Sequence, residues 1–215
     1  MAATIYAMHA TAPERRKIAL TVRALHDGAV ILYPTDTGFA FGCELSNKTA
    51  IARLRALRHM PDNKMLTFLC DSLSNIAEYA NVSNHAYKTL KRLIPGPFTF
   101  ILPASKNVPR YAQNPKRKTT GIRVPEHLLC QQLLAELGNP LLSITAKTED
   151  GEYIDDPEEL VETFARRVDV VLQLDDYGFL GDSTVVDMTS DAFDVVREGA
   201  GFDRLQDHMN VTGGL

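Results

Sequence analysis

The chain has 215 residues, of which 45% are hydrophobic and 23% charged, and its formal net charge is −4. One hydrophobic core is the expected organisation at this length, and the absence of any run of eighteen apolar residues excludes a membrane-spanning helix. Cys43, Cys70 and Cys130 are too few and too widely spaced for a disulfide scaffold, so we expect small core residues in a protein of the reducing cytoplasm. The N-terminal residues lack the basic start and apolar stretch of a signal peptide, so none is expected.

The predicted elements alternate between helices and strands in the first two thirds of the chain. A helix over 14–26 is indicated by Ile18, Val22 and Leu25 at helical spacing, and Gly28 ends it. The elements that follow, in chain order, are a strand over 29–33, a turn over 34–38, a strand over 39–43, a helix over 47–58, a strand over 65–70, a helix from 83 to the Pro-Gly-Pro turn at 95–97, strands over 98–102 and 119–124, a helix over 126–137 and a strand over 141–145.

The last third of the chain predicts one more helix and three closing strands. Asp156-Pro157-Glu158-Glu159 indicates the helix start, because an acid caps it, proline takes its first position and carboxylates face its positive end. The strands cover 168–172, 183–188 and 192–196, so the chain predicts an α/β fold, a mixed sheet with helices packed on it. No repeat or flexible linker divides the chain, which predicts a single domain over 1–215, with its core at about 14–200 and a partly disordered tail over 201–215.

Charge is distributed unevenly along the chain. Residues 1–147 carry 19 Lys and Arg against 9 Asp and Glu, whereas residues 148–215 carry 4 against 18. A basic majority beside an acidic last third fits an anionic ligand bound by the first part. It equally fits a polar surface whose charges compensate one another.

Several common catalytic motifs are absent from the sequence. It contains no G-x-x-x-x-G-K-[ST], which excludes a P-loop ATPase, and no G-x-G-x-x-G after a strand, which argues against a dinucleotide-binding unit. The sequence has no H-E-x-x-H or C-x-x-C pair that would indicate a zinc site, and no G-x-S-x-G that would indicate an α/β-hydrolase. Small polar and basic residues at strand ends remain as candidates.

Two of these strand ends predict ligand contacts. Thr35 and Thr37 follow the apolar strand over 29–33, and ligands of open α/β sheets gather at such ends, although an ordinary polar turn has the same composition. Arg123 alternates with apolar Ile122 and Val124, so its guanidinium is expected to be half-buried and to need an anionic partner. That partner is either a bound carboxylate or phosphate, or an acid of the last third of the chain.

Five segments in order give the chain a resemblance to the YrdC/YciO family. They are Tyr-Pro-Thr-Asp-Thr-Gly at 33–38, Pro-Gly-Pro-Phe-Thr at 95–99, Arg-Val-Pro at 123–125, Ser-Thr-Val-Val-Asp at 183–187 and Arg-Glu-Gly at 197–199. The resemblance implies a YrdC-like fold, a twisted mixed sheet with flanking helices around a basic cavity. It also implies synthesis of L-threonylcarbamoyladenylate from L-threonine, bicarbonate and ATP with Mg²⁺, releasing pyrophosphate, for threonylcarbamoylation of an adenosine in tRNA.

The resemblance also assigns roles to individual residues. The residues matched to threonine binding are Thr37, Arg123 and Ser183, with Arg123 holding the carboxylate. The residues expected to hold the nucleotide are Arg58, Lys64, Thr119, Thr145, Lys147 and Arg197. No protein nucleophile and no protein-bound metal is assigned, because charge builds on phosphoryl oxygens that fixed cations and Mg²⁺ stabilise.

Two departures from the synthase pattern resemble the YciO branch of the family. Arg58-His59-Met60-Pro61 stands where the synthases carry Lys-x-Arg-Pro, so Met60 replaces a cation for which Lys64 can compensate. Thr145-Ala146-Lys147 stands where the synthases carry Ser-Ala-Asn. Loss of one charge-assisted phosphate contact costs about 1.5–3 kcal/mol, so the resemblance implies anion binding with weakened synthase activity.

Two other functions remain open from the sequence. Related domains are described as binding double-stranded RNA, and the basic run Lys116-Arg117-Lys118 reads as a loop at the cavity mouth that contacts nucleotide or RNA phosphates, or as a solvated loop. The same cavity also fits another acyl-adenylate or a nucleotide-hydrolysis reaction. His59 reads as an exposed residue at a helix end and His127 as the opening of a helix.

Overall fold

The structure, a computed structural model, describes residues 2–61 and 65–212. Its elements alternate as the sequence predicts, and no helix among the described residues is long and apolar enough to cross a membrane. In chain order they are β1 (Thr4–Met8), α1 (Arg15–His26), β2 (Ile31–Thr35), β3 (Gly38–Glu44), α2 (Lys48–Ala56), β4 (Thr67–Leu69), α3 (Leu73–Tyr79), α4 (Asn84–Leu93), β5 (Phe98–Pro103), β6 (Thr119–Arg123), α5 (Leu128–Leu137), β7 (Leu141–Thr145), α6 (Pro157–Phe164), β8 (Val170–Leu174), β9 (Thr184–Asp187), β10 (Asp194–Arg197) and α7 (Phe202–Thr212).

Ten strands form one mixed sheet, which confirms the predicted α/β fold. Their order is β1-β8-β2-β3-β7-β4-β6-β5-β9-β10, with parallel pairs β1–β8, β2–β8, β4–β6 and β5–β9 and antiparallel pairs elsewhere. β8, from the last third of the chain, therefore lies between β1 and β2, and β7 lies between β3 and β4. This interleaving brings strand ends that are far apart in sequence to the centre of the sheet.

Two hydrophobic clusters cover the two faces of the sheet. Successive side chains of β2 alternate between them: Ile31 and Tyr33 pack with α1 and α5, whereas Leu32 packs in the larger cluster with α2, α3, α4, α6 and α7. This period of two is what a strand buried on both faces requires. All three cysteines are buried and free, and burial raises the pKa of Cys43 to about 12, which confirms them as inert core residues.

Three predicted helix starts are confirmed by their caps. The side-chain oxygens of Asn47, Ser83 and Asp156 accept hydrogen bonds from the backbone N–H groups three residues on, at 2.9, 3.2 and 2.8 Å. Pro157 occupies the first turn of α6 as predicted, and His127 is the N-cap residue of α5. The caps at Asn47, Ser83 and Asp156 each satisfy a donor that the helix itself leaves unpaired, whereas His127 makes no side-chain cap bond.

Three elements differ from the prediction. β1 and α3 were assigned to no element, and the tail expected to be partly disordered from residue 201 instead forms α7 up to Thr212. Leu205 of α7 is fully buried in the larger cluster, and His208 Nε2 lies 3.1 Å from the Thr89 hydroxyl of α4. The buried leucine and the polar contact with α4 are what order this helix.

The uneven charge is compensated in part by ion pairs across the sheet. Arg53 of α2 pairs with Asp169 at 2.9 Å, and Arg117 pairs with Asp187 at 2.6 Å. Each pair joins a cation of the basic part to a carboxylate of the acidic part. These pairs neutralise part of the charge difference between the two parts of the chain.

Candidate active site

The turn between β2 and β3 is held by a threonine hydroxyl. Thr35 Oγ1 donates to the Gly38 carbonyl at 2.7 Å and accepts from the Thr37 backbone N–H at 3.2 Å. These bonds fix Asp36 and Thr37 as the two residues of a tight hairpin, and Gly38 supplies the positive φ of +138° that follows. The turn thus presents a carboxylate and a hydroxyl at the end of two buried strands.

Arg123, at the end of β6, pairs with both of these turn residues. One of its nitrogens donates to Thr37 Oγ1 at 2.5 Å and the other to Asp36 Oδ1, whose second oxygen accepts the Glu126 backbone N–H at 3.2 Å. Side chains of Arg123 and Asp36 are only 8% and 4% exposed. Of the two partners that the sequence left open, an acid of the last third is not the one found, because the carboxylate that pairs with Arg123 is Asp36 of the β2–β3 turn.

The guanidinium of Arg123 keeps donor capacity toward the cavity. Its Nε–H is buried without an acceptor among the described residues, and the two bonds above use only two of its five N–H groups. A bound carboxylate would satisfy further donors at this position. Because Asp36 already neutralises the charge, such a ligand would be held mainly by hydrogen bonds.

Ser183, immediately before β9, is held from two sides. Its hydroxyl lies 2.9 Å from Thr99 Oγ1 of β5 and 3.1 Å from Arg197 of β10. Arg197 also donates twice to the Ser183 carbonyl, at 3.0 and 2.7 Å, and lies 3.6 Å from Asp182. The three family-like segments at 95–99, 183–187 and 197–199 therefore meet at one point, which supports the positions of Ser183 and Arg197 in one site.

A cavity of about 310 Å³ opens between these strand ends. It is lined by hydroxyls and guanidinium groups together with Phe39, Leu69 and Val185. The predicted threonine-site residues Thr37, Arg123 and Ser183 all lie in its wall, and Thr145 and Arg197 border it as well. This volume is at the lower end of the range for small-molecule sites, roughly 300–1,000 Å³.

A second cavity of about 310 Å³ adjoins the first one. Arg58, Lys147 and Arg197 supply its cations, whereas Asp182 is the only carboxylate among the described residues that line it. Arg58 donates to the Thr145 carbonyl at 2.7 Å, and burial lowers the pKa of this guanidinium. Because Thr145, Asp182 and Arg197 border both cavities, the two form one basic cleft with two compartments.

One predicted site residue lies outside both cavities, and another is not among the described residues. Thr119 lines neither cavity: it is 4% exposed, and its hydroxyl contacts the sulfur of Met65, whose side chain lines both compartments. Lys64, expected to compensate for Met60, lies outside the described residues. Met60 itself lines the second cavity and packs partly against the larger hydrophobic cluster, and His59, exposed as expected, pairs with Glu149 at 3.4 Å.

Three site residues were missed from the sequence. Asp182 stands directly before the Ser-Thr-Val-Val-Asp segment, Thr99 closes the Pro-Gly-Pro-Phe-Thr segment, and Tyr153 lies in the connection between β7 and α6. Thr99 and Asp182 line the first cavity, and Tyr153 contacts both Lys147 and Asp182. The polar ends of the family-like segments were a usable signal for the first two, whereas nothing local marks Tyr153.

The basic run at 116–118 does not border this cleft, contrary to its expected place at the cavity mouth. Arg117 is committed to Asp187 by an ion pair, and Lys118, held at a positive φ of 51°, lines a third cavity of about 530 Å³. Lys106 and Arg110 line the same cavity. The connection between β5 and β6 folds back on itself through the bond from the Ala104 N–H to the Lys118 carbonyl, which turns this run away from the cleft.

The fold and the cleft define an α/β protein whose sheet carries a basic, two-compartment ligand site at its strand ends. The family model Sua5_yciO_yrdC, described as "Telomere recombination", matches residues 23–199. The chain therefore belongs to the Sua5/YciO/YrdC family.

Relatives of known sequence and structure agree with this membership. The uncharacterized protein YciO of Escherichia coli (strain K12) is 40% identical over 197 residues, which cover 90% of this chain and 94% of YciO. Its crystal structure matches with a TM-score of 0.82 at 38% identity, over 92% of this chain and 96% of that one. A threonylcarbamoyl-AMP synthase of Vibrio vulnificus (strain YJ016) is 30% identical over 154 residues, 70% of this chain and 82% of the synthase.

One solved relative holds an amino acid. P. abyssi Sua5 complexed with L-threonine matches with a TM-score of 0.83 at 23% identity, over 91% of this chain and 57% of that chain. At this identity the likeness shows the fold, and with the E. coli match it confirms the predicted YrdC-like architecture.

Proposed function

We propose that this protein forms an acyl-adenylate of the threonylcarbamoyl-AMP type from L-threonine, bicarbonate and ATP, with weaker nucleotide binding than the synthases. The observation that carries the proposal is the pair of compartments joined along one wall. Thr145 and Arg197 line both compartments, so a carboxylate bound in the first would face a phosphate bound in the second across them. The synthase from V. vulnificus and the threonine complex of P. abyssi Sua5 support this choice of substrates.

Threonine fits the first compartment by its polar groups. Thr37 and Ser183 offer hydroxyls, and Arg123 offers unused N–H donors to a carboxylate. Phe39, Leu69 and Val185 provide an apolar surface for the methyl group of the substrate. The three polar groups, supplied by three distant segments, orient the amino acid without any covalent step.

The second compartment supplies fixed positive charge to the nucleotide. The amine of threonine would attack bicarbonate to give a carbamate and water, and the carbamate oxygen would then attack the α-phosphorus of ATP and displace pyrophosphate. Negative charge grows on the phosphoryl oxygens in that second step, and preorganised cations stabilise it. Arg58, Lys147 and Arg197, the cations that line this compartment, would do this.

In this proposal Mg²⁺ binds together with ATP, as part of the substrate. No group of three His, Cys, Asp or Glu side chains that could hold a metal ion occurs in the described part of the chain. The phosphates of ATP would therefore carry the ion, with Asp182 as the one carboxylate at the shared wall.

Pyrophosphate release in the presence of L-threonine, bicarbonate and Mg·ATP tests this function, with mass spectrometry to identify the adenylated carbamate. We expect release that depends on all three substrates. A panel of other amino acids in the same assay, together with phosphate release without amino acid, separates this reaction from another acyl-adenylate synthesis and from plain nucleotide hydrolysis. Full activity without threonine would overturn the proposal.

A second candidate function, RNA binding without catalysis, is favoured by the third cavity. Lys106, Arg110 and Lys118 line it, and no carboxylate does so among the described residues. Such a site would bind tRNA or double-stranded RNA with an affinity that falls steeply with salt and needs no ATP. Neutralising these three residues should abolish the binding, whereas neutralising the exposed Arg15 and Arg16 should leave most of it.

A further inference from the structure

Lys147 is held by an aromatic ring. Its ammonium nitrogen lies 3.7 Å from the ring centroid of Tyr153, six residues later in the same connection. A lysine side chain is flexible, so ordering it when a phosphate binds reduces its contribution to the affinity. A lysine whose position is fixed beforehand avoids much of this loss. The ring face supplies that fixation through cation–π attraction while leaving the charge available to a ligand.

The same tyrosine also fixes a carboxylate at the wall between the compartments. Its hydroxyl donates to Asp182, which in turn lies 3.6 Å from Arg197, the residue bonded to Ser183. Burial and the Asp182 carboxylate raise the pKa of Tyr153, so the phenol stays protonated and remains a donor at neutral pH. One side chain thus contacts a cation of the second compartment and a carboxylate of both compartments.

We propose that Tyr153 is a positioning residue for the cleft, holding Lys147 for the nucleotide phosphates through its ring and Asp182 for the amino-acid compartment through its hydroxyl. Tyr153 does not line either cavity, so it acts through these two neighbours. The inference rests on the proposed nucleotide site. It also gives a reason for the departure at Lys147, where the synthase pattern has asparagine: a cation there is useful because this chain supplies an aromatic ring to hold it.

The two roles of Tyr153 are separable by substitution. Tyr153→Phe keeps the ring and loses the hydroxyl, whereas Tyr153→Leu loses both. Calorimetric titration of the purified full chain with Mg·ATP should give Tyr153→Phe an affinity within about twofold of wild type and Tyr153→Leu one that is about five- to tenfold weaker. Titration with L-threonine should show both variants weakened to a similar extent.

A double-mutant cycle distinguishes positioning from a general structural effect. If Tyr153 acts on ATP through Lys147, then Tyr153→Leu should cause no further loss of ATP affinity in a Lys147→Met background. Tyr87→Leu, which removes an exposed tyrosine from α4, serves as the matched control and should bind both ligands as wild type does. Thermal unfolding of every variant identifies any loss of affinity that comes from unfolding.

The outcomes separate this inference from the proposed function. Wild-type protein that fails to bind ATP would overturn the proposed function and the inference with it. Wild-type protein that binds ATP, with Tyr153→Leu equally tight or with additive losses in the cycle, would overturn the inference alone. If Tyr153→Leu proves unfolded, the assignment depends on Tyr153→Phe, for which unchanged threonine affinity would contradict the role of the hydroxyl.

Discussion

Arg123 of β6 and Asp36 of the β2–β3 turn form an ion pair in which both side chains are almost fully buried. The two residues are 87 positions apart in the sequence, and Arg123 also lines the first compartment. Removing one member of a buried pair leaves an uncompensated charge, which usually costs more than the pair itself contributes.

Arg123→Ala should therefore both weaken threonine binding by well over tenfold and reduce stability. We expect the free energy of unfolding to fall by about 3–5 kcal/mol, because Asp36 loses its charge partner in the protein interior. Urea unfolding measures the loss, and Arg123→Ala combined with Asp36→Ala should recover part of it. The exposed Lys88→Ala should change stability by less than about 0.5 kcal/mol. Unchanged threonine affinity in a folded Arg123→Ala protein would contradict the assigned role.

Gly199→Ala should distort the wall between the compartments. A Cβ at this position would lie 2.3 Å from the Asp182 carbonyl oxygen and 2.8 Å from the Ser183 carbonyl carbon, and backbone atoms cannot give way cheaply. We expect a loss of about 1–3 kcal/mol in unfolding experiments and weaker binding of threonine. Gly178→Ala is the matched control, since nothing lies within 4 Å of its added Cβ. If Gly199→Ala and Gly178→Ala had equal stability and equal threonine affinity, the steric role assigned to Gly199 would be wrong.

Met60→Arg should strengthen nucleotide binding. Met60 lines the second compartment, and a guanidinium there would add one charge-assisted phosphate contact of about 1.5–3 kcal/mol. Calorimetry should show about a tenfold gain in ATP affinity. Ile5→Arg, at an exposed position of β1, adds the same charge far from the cleft and should leave the affinity unchanged. A loss of affinity in Met60→Arg would show that the nucleotide does not approach this residue.

Asp169 should contribute stability that is lost in acid. Burial alone would raise its pKa, but hydrogen bonds from Arg53 and from the Val30 N–H outweigh that effect and hold the pKa below its usual value. Such a carboxylate stabilises the fold above its unfolded pKa of about 3.9, and this stability disappears as the pH falls through the lower folded value. The stability deficit of Asp169→Asn relative to wild type should thus be largest at pH 7 and shrink below about pH 4. Asp176→Asn, at an exposed position, is the control for loss of one surface carboxylate in the same urea series.

Local signals were the part of the structure that the sequence could predict. The caps at Asn47, Ser83 and Asp156 depend on neighbours three residues away, and each proved correct. The ion-pair partner of Arg123 could not be predicted from the sequence, because it depends on how the distant β2–β3 hairpin packs against the end of β6. Helix α7 was missed for a similar reason, because its order comes from packing against the larger cluster and α4 and not from its own composition.

The residues of the cleft were predicted from the five family-like segments and not from residue types or spacing alone. Thr37, Arg123, Ser183 and Arg197 line one cavity as expected, because each lies at or next to the terminus of a strand. Tyr153 lies outside these segments, and its contacts with Lys147 and Asp182 depend on the path of one connection. No pattern of spacing in the sequence encodes that path.

The insertion of β8 between β1 and β2 has a consequence during protein synthesis. Until the ribosome has added Asp169 and Asp187, Arg53 and Arg117 have no carboxylate to pair with, and the emerging first 147 residues carry their excess of ten positive charges uncompensated. The acidic last third supplies both carboxylates and completes the sheet, so the ion pairs between the two parts of the chain form only once the C-terminal strands are in place.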